Sequence, residues 1–348
     1  MRRRVLLIRH AMPDLPLGER WCVGGRTDLP LGRLGRMQAA LLPFSDELRD
    51  IGGVFCSTLV RARQTALPLC AEPIAMPGLQ EQDMGEWDGL SFREIRARFG
   101  ALYAARERDP SLLPAGAESE AAVKTRMLQG IKACLRERGG DIAVVSHKGS
   151  IASLLGSREG LDYTAVCELV FDGETLCSCA LRGVPKVALS DEVCRALLRA
   201  AAGREELAAH SFAVAALADK LAAALAEKGL AMDADRVHFG ALLHDIAKGE
   251  ADHAALGGRY LEALGYGGLA PIAAQHRDWD GEALDEAAIV YLADKAVRGS
   301  ERVSIDERFA ASLEKCRTEE ARAAHARRYA AARRIREEIN RLCEKELI

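Results

Sequence analysis

The sequence predicts two domains: an α/β domain over residues 1–185 with a mostly parallel sheet flanked by helices, and an all-α bundle over residues 190–348. Three observations lead there. The chain, at 348 residues, exceeds the usual size of one hydrophobic core. Up to about Arg182, short apolar runs alternate with amphipathic stretches, the order of a layered α/β domain. Gly183-Val184-Pro185-Lys186 then breaks regular structure, and from Ser190 the composition turns alanine-rich, with helical periodicity and no convincing strand.

Val5-Leu6-Leu7-Ile8 is partly β-branched and free of polar residues, as expected of a strand buried on both faces of a sheet. Strands are expected at Arg4–Ile8, Gly53–Cys56, Ile142–Ser146, Cys167–Phe171 and Leu176–Leu181, the last two forming a hairpin across Asp172-Gly173. Ser57, at a strand end, is placed to cap a helix carrying Arg61. In the second half, His210, the pair His244-Asp245, and Asp294 each interrupt a different apolar helix, and Asp233 and Asp235 read as helix caps. The tract after Ser312, dense in Arg, Glu and Ala, reads as one or two solvated helices. No run reaches membrane-spanning length, and Met1-Arg2-Arg3-Arg4 is followed by too few apolar residues for a signal peptide.

With 49% apolar and 28% charged residues, both halves can be globular. A net charge of -3 gives no basic field for a nucleic-acid polymer, so neither such a polymer nor a membrane is expected as partner. The ten cysteines lack paired metal-ligand spacing, which fits free thiols in a reducing, cytoplasmic compartment.

The first apolar run ends in Arg9-His10 and a late one in Ser146-His147. Ligands collect at the carboxyl ends of parallel strands, so two imidazoles delivered there can share one site. One could attack phosphorus while nearby cations hold the phosphoryl oxygens. Between them lie Gly25-Arg26-Thr27-Asp28-Leu29-Pro30-Leu31, then Ser57 with Arg61 and Thr65-Ala66 at four-residue steps, then Glu81 ahead of Gly85-Glu86-Trp87-Asp88-Gly89. In this order the motifs resemble the histidine phosphatase, or phosphoglycerate mutase-like, superfamily over roughly the first half of the chain. The resemblance implies that His10 is the nucleophile that becomes phosphorylated, that Arg9, Arg61 and His147 grip the phosphoryl oxygens, that Glu81 protonates the leaving oxygen, and that this domain uses no cofactor. The residue types agree with that chemistry. A neutral imidazole attacks phosphorus without a metal when a backbone carbonyl orients its other nitrogen, and guanidinium groups match phosphoryl oxygens bidentately. Arg26, Thr27 and Lys148 are candidates for substrate binding, while Glu118 and Ser119 are expected to organise the loop over the site. Ala11 and Lys148 stand where glycine is frequent in the family, and Pro16 stands where mutase-like members place asparagine. The stretch Cys22–Leu31 is most similar to the α-ribazole phosphatase branch.

His244-Asp245 lies within Ala241-Leu242-Leu243-His244-Asp245-Ile246-Ala247-Lys248. Burying that pair unpartnered would cost roughly several kcal/mol, which a metal ion would relieve. This half resembles the HD superfamily of metal-dependent phosphohydrolases from about Glu205 to Arg302. The resemblance implies His210, His244, Asp245 and Asp294 as metal ligands, His253 and His276 as the extra ligands of the dinuclear branch, and Lys248 and, more weakly, Arg302 as phosphate contacts. Such a nitrogen and oxygen set suits two divalent ions such as iron or manganese better than a structural zinc. Both halves thus point to a bifunctional phosphohydrolase acting on a small phosphorylated metabolite or nucleotide. Two alternatives stay open: a mutase at the first site, and a metal- and nucleotide-binding regulatory module in the second half.

Overall fold

The structure, a computed structural model, describes residues 2–203 and 205–348. The chain divides into two compact units, Met1–Val187 and Ala188–Ile348.

The first unit is built on a six-stranded sheet of β1 (Arg2–Arg9), β2 (Gly53–Cys56), β3 (Ile74–Ala75), β4 (Ile142–Ser146), β5 (Val166–Asp172) and β6 (Thr175–Gly183), in the order β3-β2-β4-β1-β5-β6. The first four strands in that order are parallel, and β5 and β6 add an antiparallel hairpin at the edge, as the sequence predicts. Strand alternation sends Leu6 and Ile8 of β1 to one face and Val5 and Leu7 to the other. On the first face they pack with Leu42, Cys56, Ala62 and Val145, and on the second with Phe55, Met127, Ile131 and Val144. Burial on both faces is why the strand sequences read as unbroken apolar runs.

Helices α1 (Arg33–Leu41), α2 (Val60–Ala66), α3 (Phe92–Arg108), α4 (Glu120–Glu137) and α5 (Lys148–Leu155) flank the sheet or extend from it. A complete capping box starts α3, with Ser91 accepting from the Glu94 amide and the Glu94 carboxylate returning to the Ser91 amide. Ser57 corrects one expectation. The residue before α2 is Leu59, and the Ser57 hydroxyl accepts from the Leu59 amide at 3.3 Å instead of capping the helix. The first turn of α2 is held by Asp28, which accepts from the Val60 amide at 2.7 Å across 32 residues of chain.

The second unit comprises α6 (Asp191–Ala202), α7 (Glu205–Ala226), α8 (Ala234–Leu243), α9 (His253–Ala263), α10 (Ala270–Gln275), α11 (Glu286–Lys295), the two-residue strands β7 (Val297–Arg298) and β8 (Glu301–Arg302), α12 (Ile305–Leu313) and α13 (Glu319–Cys343). The β7-β8 hairpin departs from the strand-free expectation, being too short to leave any alternation in the sequence. A second departure is α13, one long helix that buries Ala332, Ile335, Ile339 and Cys343. That spacing is one stripe of a helix, so the arginine-rich tract has a packed face as well as a wet one. The third is α7, which by length and composition alone could cross a membrane. Alanine and leucine raise its hydropathy because the helix packs in the interior of the unit, burying Val214, Leu217, Leu221 and Leu225 as well as His210.

His238 on α8 joins three helices, reaching Asp219 of α7 through Nδ1 at 2.9 Å and Asp191 of α6 through Nε2 at 2.8 Å. Burial opposes the imidazolium, but the two carboxylates outweigh it and raise His238 above its ordinary value of 6.5. A raised folded value stabilises the fold fully below the unfolded value, and that contribution is lost as pH rises through the folded one. His238→Gln is therefore expected to flatten the decline of thermal stability above pH 6.5, measured by melting across a pH series. An unchanged pH profile would remove this clasp from the stability of the unit.

Candidate functional site

The parallel register of β1 and β4 delivers the first site. Arg9 lies opposite Ser146, so His10 and His147 leave adjacent strands at one level, and the His10 amide donates to the Ser146 carbonyl at 2.9 Å. Their buried rings are centred 5.0 Å apart. His10 Nδ1 lies 2.7 Å from the Ala11 carbonyl, which can only accept; the proton therefore sits on Nδ1 and the lone pair on Nε2. Arg61 Nε donates to that lone pair at 3.3 Å. Burial first, then the guanidinium charges of Arg61 and Arg9, holds His10 well below its ordinary value, so the ring is neutral and nucleophilic at pH 7.

Arg61 is fully buried, with its two terminal nitrogens donating to the carbonyls of Thr27 at 2.7 Å and Gly24 at 3.1 Å. Asp88 folds the loop that offers those carbonyls. It accepts from the Gly24 amide, the Arg26 amide and the Thr27 hydroxyl at 3.0, 2.9 and 2.5 Å. Thr65 adds a second clasp, donating to the Arg61 carbonyl at 2.7 Å and accepting from the Ala11 amide at 2.9 Å. Arg9 donates to the Leu161 carbonyl at 2.7 Å, and its guanidinium lies 3.9 Å from the centroid of the Tyr163 ring. His147 is fully buried, yet neither ring nitrogen has a hydrogen-bond partner. Such an orphaned imidazole is an uncompensated cost that an anion in the site would remove.

Glu81 faces the same pocket from its loop, within electrostatic reach of Arg9 and Arg61. Its carboxylate accepts from the amides of Gln82 at 2.7 Å, Gly149 at 3.0 Å and Ser150 at 3.0 Å, the last two in the first turn of α5. Gly149 is needed there, because a Cβ at that position would sit 2.7 Å from Glu81 Oε1. Arg126, which the sequence reading missed, holds the loop by donating to the carbonyls of Gln80 at 2.7 Å and Glu81 at 3.1 Å while pairing with Glu118 at 2.7 Å. Glu118 thus organises the loop, as expected.

The structure therefore brings together Arg9, His10, Arg61, Glu81, His147 and the neighbouring Lys148. It engages Arg26 and Thr27 elsewhere. Arg26 is more than half exposed and pairs with Asp83 at 2.8 Å, and the Thr27 hydroxyl is held by Asp88, leaving its carbonyl as the part that serves the site through Arg61.

In the second unit, six residues converge as two triads, His210/His244/Asp294 and Asp245/His253/His276, the potential ligand atoms within each lying inside 4.8 Å. Three histidines are oriented alike. His210, His244 and His276 place Nδ1 against the carbonyls of Gly299, Ala241 and Ala273 at 2.8, 2.7 and 2.6 Å, which leaves each Nε2 lone pair facing inward. That backbone orientation is a hallmark of metal-binding imidazoles. His244 Nε2 and Asp245 Oδ1 are buried without a hydrogen-bond partner, so the cluster has donor atoms still to be filled. Asp245 also joins the triads, its Oδ2 lying 3.7 Å from His244 Nε2 and its Oδ1 3.4 Å from His276 Nε2. Burial opposes ionisation of Asp294 and Asp245, yet the charge of Lys295 and the adjoining imidazoles of His210 and His244 hold Asp294 well below the usual carboxylate range, as the adjoining His276 and His244 and the charge of Lys248 hold Asp245. Both are thus anionic, as ligands must be.

Lys248 pairs with Asp245 Oδ2 at 2.5 Å. Lys295, unforeseen in the sequence, donates to Asp294 Oδ2 at 2.7 Å and to the His276 carbonyl at 2.9 Å, tying one triad to the other. Arg302 is exposed on β8, where it donates to the Leu347 carbonyl at 3.1 Å, and shares no hydrogen bond with the cluster among the described residues.

Fold and sites define a two-unit chain: an α/β unit with a histidine and arginine pocket, then a helical unit with a His/Asp cluster. Residues 5–183 match the family model of the histidine phosphatase superfamily (branch 1), and residues 207–299 match that of the HD domain. The chain belongs to the histidine phosphatase superfamily, with an HD domain following. It is 32% identical over 158 residues to the bifunctional protein Rv2228c of Mycobacterium tuberculosis, 44% of this chain and 43% of that protein, so the match spans less than half of this relative. It is 29% identical over 171 residues to a glucosyl-3-phosphoglycerate phosphatase of Mycolicibacterium vanbaalenii, 46% of this chain and 75% of that protein. A solved mycobacterial glucosyl-3-phosphoglycerate phosphatase shares 25% identity, covering 53% of this chain and 99% of its own at a TM-score of 0.44.

Proposed function

We propose that the chain is a bifunctional phosphohydrolase that cleaves a phosphomonoester through a phosphohistidine at His10 and a phosphate ester or nucleotide at the metal-dependent HD site. The observation that carries the first half of this reading is the juxtaposition of a tautomer-fixed, neutral His10 with a buried His147 whose ring lacks any partner. An incoming phosphoryl group supplies what both lack. His10 Nε2 attacks phosphorus, and Arg61 transfers its hydrogen bond from that nitrogen to a phosphoryl oxygen. Arg9 and His147 hold the remaining oxygens, stabilising charge that is already placed. Glu81 protonates the leaving alkoxide as the P–O bond breaks, and then takes a proton from the water that releases inorganic phosphate from His10.

In the HD site, His210, His244 and Asp294 would hold one divalent ion and Asp245, His253 and His276 a second, with iron or manganese suiting this donor set. When bound, the ions supply Lewis acidity to a phosphate ester. Lys295 keeps Asp294 and the His276 backbone in register, and Lys248, half-exposed beside Asp245, is positioned to meet an incoming phosphate oxygen. The names of the relatives support small phosphorylated metabolites as substrates of the first site.

Two activities separable by chelator test the reading on the whole protein. Within the chelator-resistant one, Glu81→Gln is expected to slow alkyl phosphates by ~100-fold or more and p-nitrophenyl phosphate far less, because a good leaving group does not need the proton. A melting curve controls for lost contacts at the start of α5. Equal losses on both ester types would remove Glu81 from the general-acid role.

A further inference from the structure

The cations around the mouth of the first site outnumber what one phosphoryl group requires. Arg9, Arg61 and His147 already surround the position that phosphorus would take. Lys148, directly after His147, is only partly buried, and its ammonium makes no hydrogen bond or ion pair among the described residues. Arg158 comes to the same edge of α5 from the far end of that helix. Its guanidinium donates to Gln82 Oε1 at 3.2 Å, and that oxygen lies 3.4 Å from where a Cβ of Gly149 would be. Arg158 makes no ion pair among the described residues.

These groups repel one another. Burial lowers the Lys148 value first, then Arg9 lowers it further, with Arg158 and Arg20 adding to that and Asp162 opposing. By contrast, Arg26, Arg126, Arg136 and Arg182 of the same unit each pair with a carboxylate. Two unpaired cations held together against such repulsion have a use when a second anion lies between them.

Resting on the phosphatase reading above, we propose that Lys148 and Arg158 form a subsite for a second anionic group on the substrate, so that the first site prefers phosphomonoesters that also carry a carboxylate or a second phosphate. Lys148 and Arg158 are specificity-determining residues here, with the bond-making left to His10. The class includes phosphorylated hydroxy acids and bisphosphates, and excludes esters whose remaining part is neutral.

Three synthetic esters of similar length test this in chelator: n-propyl phosphate, 2-carboxyethyl phosphate and propane-1,3-diyl bisphosphate. The wild-type protein is expected to show kcat/KM at least ~10-fold higher for one or both doubly anionic esters, the size of one charge-assisted hydrogen bond. Which of the two wins distinguishes a carboxylate from a phosphate as the natural second group. Lys148→Met and Arg158→Met are each expected to bring that ratio toward one, and Arg158→Lys to restore part of it. A wild-type ratio near one, or a ratio that both Met variants leave unchanged, overturns the subsite while the phosphatase reading stands. No turnover of any of the three esters overturns both.

Discussion

Replacing His10 by alanine is expected to abolish hydrolysis in the presence of chelator, by at least about 10³-fold, while metal-dependent turnover by the same preparation stays intact. The size of the effect follows from where the reaction is carried. In the proposed mechanism Arg9, Arg61, His147 and Glu81 would stabilise charge or move a proton, and each could be lost with some rate remaining. Only His10 Nε2 would form the bond to phosphorus. The geometry adds a second reason for the loss to be clean. His10 Nδ1 donates to the carbonyl of the next residue, Ala11, and Nε2 accepts from Arg61, which keeps its bonds to the Thr27 and Gly24 carbonyls when the ring is removed. Arg61→Ala is expected to cost less, about 10²- to 10³-fold, as for one fixed donor to a transition-state oxygen. Because Arg61 also closes the Gly24 and Thr27 carbonyls, its variant needs a melting curve beside the rate. Normal turnover of His10→Ala in chelator would refute the phosphohistidine mechanism.

The second large effect is expected in the HD domain. Wild-type protein should carry two transition-metal ions per chain, and His244→Ala or Asp245→Ala should lose both ions and the metal-dependent activity while chelator-resistant hydrolysis continues. Asp245 lies between the triads, so its loss removes a ligand from one and the carboxylate that adjoins the other. His244 is fully buried, with the rings of His210 in its own triad and of His276 in the other centred 5.5 and 5.1 Å away. His253, the most exposed of the six, should behave differently, with His253→Ala holding one ion and releasing the other. Elemental analysis reads the stoichiometry directly. One ion per wild-type chain, indifferent to His253 and His276, would contradict the dinuclear assignment.

Much of this was legible in the sequence because the residues that line the two sites interrupt patterns that would otherwise be continuous. Arg9-His10 and Ser146-His147 end apolar runs, and His244-Asp245 and Asp294 break apolar helices, so each stands out against its own neighbours. What holds them was less legible. Asp88 and Arg126 act through hydrogen bonds to backbone atoms 62 to 64 and 45 to 48 residues away, and nothing local marks a side chain for such a role. Arg26 shows the reverse case. It sits in a glycine-rich loop that resembles a substrate contact, but tertiary folding puts Asp83 beside it. Lys295 directly follows Asp294 and reads as an ordinary helix-end cation until the His276 carbonyl is brought to it. The buried stripe of α13 was hidden for another reason, since four small or apolar residues are outnumbered by the arginines and glutamates around them. Neither could composition reveal that β1 and β4 pair in register, the one relation that sets two histidines side by side.

Passage of phosphate through His10 is tested most directly by a rapid acid-free quench of the whole protein with a phosphomonoester in chelator, followed by mass mapping of phosphopeptides. An acid-labile phosphate is expected on the peptide containing His10, present in wild type, absent in His10→Ala, and accumulating in proportion as release of inorganic phosphate slows. Hydrolysis at full rate with no phosphorylated His10 peptide at any time point would contradict it.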